Sequence, residues 1–319
     1  MRVAVRWGVV LFAVACAPAI DQGEMESGDL DALERGCAPQ TWPIDEQGHQ
    51  AERVTILDGP GRTTWWVPPD PRGLVVMLHS NKHDSRTMFT IEHEELYNEL
   101  AERNIAYVAV SNTGGVWSLS AQPDNRDYVR VRDVLDRVIH DTPAQKSTPL
   151  FAVGFSGGSM FAPVFAQLAT DDGLDVRGFS SHNTGPRSTA LVPAWFTAHA
   201  NDNPNVIEGA YEDQLKRGLE TEYVFLEESR VEPLRFSKEP NITEDESLLF
   251  FEELVDMGLI DRQGRRLVEE IGAALDDFQR NSVYEDSNKA RDQLSVLWRR
   301  HIFSADRACA EAEFFDKQL

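Results

Sequence analysis

Positive charge is in short supply: 31 Lys and Arg stand against 53 Asp and Glu, a formal net charge of −22. A field of that sign repels phosphate backbones and anionic membrane surfaces, which argues against nucleic-acid binding. Cysteine is scarcer still, with only Cys16, Cys37 and Cys309 among 319 residues. Beyond the N-terminus no apolar run approaches the roughly 18 residues that a membrane-spanning helix needs. The mature chain is therefore expected to be soluble or tethered. There is no internal repeat and no extended low-complexity tract. No Walker or dinucleotide fingerprint is present, so no nucleotide cofactor is indicated. What remains, 41% hydrophobic and 26% charged residues, is an ordinary globular composition.

The first residues carry a signal of their own. "MRVAVRWGVVLFAVAC" has two arginines, an apolar stretch from Trp7 to Ala15, and small residues at its end. That is the pattern of an export signal, too short to cross a bilayer. "FAVAC" resembles the lipobox of bacterial lipoproteins, although Ala13 stands where leucine is commoner. The resemblance implies lipidation at Cys16, with ordinary signal cleavage as the alternative, and makes that lipid the only membrane contact expected. Residues 17–36, acidic and poor in aromatics, read as a flexible tether. In an oxidising compartment the remaining pair, Cys37 and Cys309, is expected to form a disulfide. Cys309 also fits an apolar helix face with Ala305, Ala308, Ala312 and Phe315, so a buried free thiol is the competing reading.

From residue 52 onward the chain alternates. "ERVTILDG" and "RTTWWVPPD" read as a hairpin about "GPG". Apolar runs at 73–80, 105–112, 149–156, 176–183, 193–200 and 221–228 read as buried strands. Helical spacing follows at Met88–Arg103, around Val129–His140 and from Gly157 to about Ala169. Strands apolar along their whole length, alternating with helices, predict an α/β fold: a mostly parallel sheet with helices on both faces. Residues 231–299 break the rhythm with two amphipathic helices, "LLFFEELVDMGLI" and "RRLVEEIGAALDDFQ". A last helix is expected from Ser304.

Ligands of an open parallel sheet collect at the C-terminal strand ends. There, in "FAVGFSGGSM", Ser156 sits between Gly154 and Gly158 where a strand gives way to a helix. A serine at so sharp a turn needs small neighbours. The helix beginning at Gly157 offers unpaired N–H groups to a developing oxyanion. A packing turn of small residues is the bland alternative. His79 and His83 lie four apart in "HSNKHD" but on a strand exit, which does not support a metal site. "IEHEEL" on the next helix reads as an exposed charged face.

The order of these elements with "GFSGG" resembles the α/β-hydrolase superfamily, in its secreted-esterase and dienelactone-hydrolase branches, over about residues 50–230 and the last twenty. The resemblance implies an acid after a later strand and a histidine beyond it. "TAHANDNPNV" looks like the turn that carries the acid, Asp202, with Asp213 as runner-up. His301 in "RRHIFSAD", the one histidine beyond Asp202, falls where the family keeps its base. The loop after 73–79 implies an oxyanion donor at Asn81 or Ser80, beside Gly157; the chain reads His79-Ser80 where many relatives read His-Gly. His79 itself is expected to be structural. The expectation is a cofactor-independent serine hydrolase acting on small or polymeric carboxylic esters. A peptidase or thioesterase of the same fold, or a non-catalytic surface-binding lipoprotein, are the rivals. The segment 231–299 is expected to cap the crevice, or else to pack as a helical pair on the sheet edge.

Overall fold

The computed structural model describes residues 54–58, 61–185, 190–201, 203–239, 241–284, 286–299 and 301–319. All of them belong to one compact unit, Pro39–Leu319. The signal and tether expectations for 1–36, and Cys16, Cys37 and Asp202, lie outside the described residues.

Eight strands form one sheet: β1 (Val54–Asp58), β2 (Gly61–Trp66), β3 (Gly73–Leu78), β4 (Ile105–Val110), β5 (Leu150–Phe155), β6 (Val176–His182), β7 (Ala194–His199) and β8 (Thr221–Leu226). Their spatial order is β1-β2-β4-β3-β5-β6-β7-β8. β1 and β2 form the expected hairpin, β2 is antiparallel to β4, and every pairing from β4 to β8 is parallel. This is the α/β architecture that the sequence predicted, a mostly parallel sheet with helices on both faces.

Period-two alternation divides each central strand between two cores. Leu74, Val76 and Leu78 of β3 point to one face, with α2 (Arg126–Asp141), α3 (Gly157–Asp171) and Ile207 of α4 (Pro204–Lys216) packed there. Val75 and Met77 point to the other, against α1 (Ile91–Glu102) and the C-terminal α8 (Ala308–Lys317). Both faces of β3 and β4 are fully buried, which is why these strands read as unbroken apolar runs.

The excursion 231–299 has a core of its own. Phe236, Phe250, Leu254, Phe278, Leu294 and Trp298 are among the buried residues that join α5 (Glu244–Asp256), α6 (Ile271–Asn281) and α7 (Ser287–Leu297). The structure thus has three helices here, where two were expected. α5 starts at a full capping box, with Thr243 and Glu246 satisfying each other's backbone N–H groups. Polar staples tie this body to its surroundings: Arg266 grips Glu228, just past β8, in a fork at 2.8 and 2.9 Å, and Arg235 meets buried Glu92 of α1 at 3.1 Å.

Three expectations shift. Met88 belongs to a short 3-10 turn (Ser85–Met88) capped by Asp84, so α1 begins at Ile91. The last helix begins at Ala308 because residues 304–306 are drawn into a loop described below. The "IEHEEL" face is not exposed: Glu92 and His93 are 2% and 3% accessible. Glu92 is covered because it answers Arg235 and the Ala305 N–H. Burial pushes its carboxyl pKa up, and those two partners pull it back.

Candidate active site

Ser156 is the one residue between the end of β5 and the start of α3. Its φ of 54° and ψ of −116° lie outside the regions open to ordinary L-residues. Such a conformation costs on the order of 1–3 kcal/mol and persists only where its surroundings enforce it. Here the enforcement is backbone packing. A Cβ on Gly158 would strike the carbonyls of Leu78 and His79, and one on Gly154 would strike the Gly158 backbone. Only glycine lets α3 start this close to β3 and β5. Ser156 N–H donates to the His182 carbonyl at 3.0 Å, which ties the elbow to the end of β6.

The loop after β3 runs over the first turn of α3. The Asn81 side chain occupies the space where a Cβ of Gly157 would go. Asn81 Oδ1 accepts the Trp117 N–H at 3.1 Å, which fixes the amide with Nδ2 as its remaining donor. Trp117 Nε1 donates to the His79 carbonyl at 2.7 Å, and its ring stacks on Phe161 at 4.8 Å. His79 is fully buried, with Nδ1 donating to the Ser80 carbonyl at 2.6 Å and Nε2 accepting Asn112 N–H at 3.1 Å. Burial lowers its pKa, so it stays neutral. With both ring nitrogens engaged it is a brace for the Ser80–Asn81 loop and not a metal ligand. Trp117 and the β4 exit were not singled out in the sequence; nothing in local spacing reveals a tryptophan that closes a distant loop.

His301 is exposed, and its ring centroid lies 5.3 Å from that of Phe155, the residue before Ser156. The loop that carries it is pinned on both sides. Upstream, buried Arg299 donates to the Glu227 carbonyl at 2.7 Å, to Ser229 and Ser304 Oγ at 3.0 Å, and to Asp306. Burial opposes ionisation of Asp306, but Arg299 outweighs it and holds that carboxyl below its usual range. Downstream, Asn183 Nδ2 at the end of β6 donates to the Ile302 carbonyl at 2.9 Å. Phe303 is wedged between His93 and His182, at ring distances of 4.1 and 4.6 Å. His182 Nε2 in turn lies 3.0 Å from Glu311 of α8. β6 therefore holds the elbow and the His301 loop at once.

Asp202 lies outside the described residues, in the stretch of sequence between β7 and α4. Its neighbour Asn201 donates to the Trp298 carbonyl at 2.7 Å, bringing this crossing to the segment that leads into His301. Asp213 is different. It sits well along α4, two-thirds exposed, and pairs with Arg217 four residues on at 3.8 Å, a surface ion pair. Cys309 is disulfide-bonded; its partner lies outside the described residues.

A cleft of about 450 Å³ opens beside this loop, between residues 89–94, Glu239, the 289–296 face of α7 and Ile302. The excursion thus forms one wall of it. Val116, Leu119 and Met160 are exposed apolar side chains, Met160 in the first turn of α3 after Ser156.

No family model matches the chain, and no curated protein matches it. Among solved structures, an arylesterase is similar at 12% identity over 72% of this chain and 90% of its own, with a TM-score of 0.43. An esterase of the archaeon Pyrobaculum calidifontis is similar at 15% identity over 72% and 90%, with a TM-score of 0.42. A dienelactone hydrolase of Anabaena variabilis is similar at 16% identity over 66% and 99%, with a TM-score of 0.39. Likeness this distant says nothing of substrate.

Proposed function

We propose that the protein is a serine hydrolase of carboxylic esters, with Ser156 as nucleophile, His301 as base and Asp202 as the acid that orients it. The observation that carries this reading is the forced backbone of Ser156, held at the head of α3 by two glycines that admit no other residue. A packing turn has no use for such strain.

In the reaction, Ser156 Oγ attacks the ester carbonyl while His301 takes its proton. The oxyanion is met by the Gly157 N–H, unpaired by helix geometry, and by Asn81 or the Ser80–Asn81 backbone. His301 returns the proton to the departing alcohol. Water then cleaves the acyl-enzyme by the same route in reverse, and no cofactor is needed. Ester rather than peptide or thioester chemistry rests on the resemblance in sequence; the apolar side chains Val116, Leu119 and Met160 suit an acyl chain. The excursion 231–299 acts as a cap, because it walls the cleft next to His301. Export and lipidation at Cys16 would place this chemistry at the cell envelope. Intact mass of protein from a lipoprotein-processing bacterium tests that, and a mature chain starting at Ala17 or later without lipid refutes it.

The central test is labelling by a fluorophosphonate probe, expected in the wild type and absent in Ser156→Ala. Turnover of a chain-length panel of nitrophenyl esters should follow the same pattern. Failure of the wild type to label would favour a non-catalytic binding protein.

A further inference from the structure

Two strand exits hold the chain on either side of His301. Asn201, past the end of β7, donates to the Trp298 carbonyl at 2.7 Å. Asn183, the residue after β6, donates to the Ile302 carbonyl at 2.9 Å. The second bond needs its amide to face one way. Asn183 stands in the left-handed region with φ 62°, which asparagine tolerates better than most residues. Its N–H donates to the Thr197 carbonyl at 3.0 Å. That pins the backbone but does not by itself orient the amide.

The groups around the amide decide its orientation. A carbonyl only accepts, so Nδ2 faces Ile302. The same Nδ2 lies 3.2 Å from Nδ1 of His199, the buried last residue of β7. An amide nitrogen only donates, so this Nδ1 carries no proton and the ring is neutral, protonated at Nε2. His79 has the opposite arrangement, with Nδ1 donating to the Ser80 carbonyl and Nε2 accepting the Asn112 N–H. Asn183 Oδ1, though buried, has no hydrogen-bond partner among the described residues. The nitrogen serves two acceptors while the oxygen serves no donor, which marks the donors as what this position requires.

We propose that His199 is a positioning residue for the base: its bare Nδ1 holds the Asn183 amide nitrogen toward Ile302 and so sets where His301 stands. Without an acceptor at that place the amide loses one of the two partners that orient it. Turned over, it sets Oδ1 against the Ile302 carbonyl, and the loop loses its downstream bond. The role rests on the hydrolase reading; the tautomer and the amide orientation do not.

Proton–nitrogen correlation NMR of the full-length protein, labelled at its histidine nitrogens, reads the tautomer, with the His199→Asn spectrum assigning the resonance. His199 should show a bare Nδ1 and a protonated Nε2, and His79 the reverse. A proton on Nδ1 of His199 overturns the proposal. His199→Phe keeps a ring but removes the acceptor, and should lower kcat by about 10–10²-fold with KM within about twofold. His199→Asn places an amide oxygen near the position of Nδ1 and should stay within about threefold of the wild-type kcat. Asn183→Asp keeps the shape but turns an oxygen on the Ile302 carbonyl, and should fall as far as His199→Phe. Circular dichroism checks that each variant is folded. Wild-type turnover in His199→Phe, no difference between Phe and Asn at 199, or a loss confined to KM would each overturn the proposal. Should His199→Phe fail to fold, the tautomer and Asn183→Asp decide, and wild-type kcat in the latter is refutation. A wild type never labelled at Ser156 removes the hydrolase and with it the role, while the tautomer still shows whether His199 holds the amide.

Discussion

His93 offers a quantitative test of how the loop that carries His301 is supported. It is buried, stacked on Phe303 at 4.1 Å, and its Nε2 has no hydrogen-bond partner among the described residues. Burial lowers its pKa from 6.5 to about 3. In the unfolded chain the same ring takes up a proton near its ordinary value. Between these two values the unfolded state binds more protons, so stability falls as pH falls, by about 1.4 kcal/mol per pH unit. Above the unfolded value the contribution is complete; below about pH 3 the loss is. Going from pH 7 to about pH 4.5 spans some two units of that window, a loss of roughly 2.7 kcal/mol from this residue alone. His93→Phe keeps a ring against Phe303 and removes the proton. Urea unfolding of both proteins at the two pH values gives a double difference, in which Glu92, His79 and the surface groups cancel. The variant should lose about 2–3 kcal/mol less than the wild type on acidification. Parallel pH dependence in the two proteins would refute a neutral, desolvated His93.

Four further outcomes follow from the site. Gly158→Ala should destabilise by about 3 kcal/mol or fail to fold, since its Cβ meets backbone carbonyls that cannot move aside; an unchanged Tm would contradict this. Asn81→Ala should lower kcat by roughly 10²–10³ with little change in KM, and a loss confined to KM would remove it from the oxyanion hole. Arg299→Lys keeps the charge but not the planar fork that reaches Glu227, Ser229, Ser304 and Asp306, so both Tm and kcat should drop; a rescue by lysine would show that charge alone suffices. Denatured, unreduced mature protein should show no free thiol at Cys37 or Cys309. Severing that pair should cost up to about 4–5 kcal/mol.

The sheet was legible in the sequence because β3, β4, β5 and β7 are buried on both faces, and burial of that kind writes itself as an unbroken apolar run. The elbow was legible because its glycines are demanded by backbone contact, not by taste for small residues. α4 left little trace, as only Ile207 and Gln214 are buried along it. α7 was missed for a related reason: its covered face includes Ser287, Gln293 and Ser295, so polarity does not follow exposure. Glu92 and His93 misled for the same cause, being charged and titratable groups covered by partners more than 80 residues away. What sequence withholds is the support of the site. Trp117, Arg299 and Asn183 act through bonds to residues far along the chain, and no local pattern marks them.

The excursion leaves the sheet at Ser229 and is back beside it at Leu297, whose carbonyl accepts the Ser229 N–H at 2.9 Å. Measured from the sheet, the intervening chain goes nowhere: a parenthesis opened after β8 and closed just before His301. Closing such a loop costs only about 0.6 kcal/mol more for each doubling of its length. Its contents can therefore be rewritten, lengthened or largely deleted while the positions of Ser156 and His301 stay where Arg299 and Asn183 hold them. On the proposed reading, selectivity and chemistry are then separately heritable traits of one chain, and the wall of the cleft can drift while Ser156 does not.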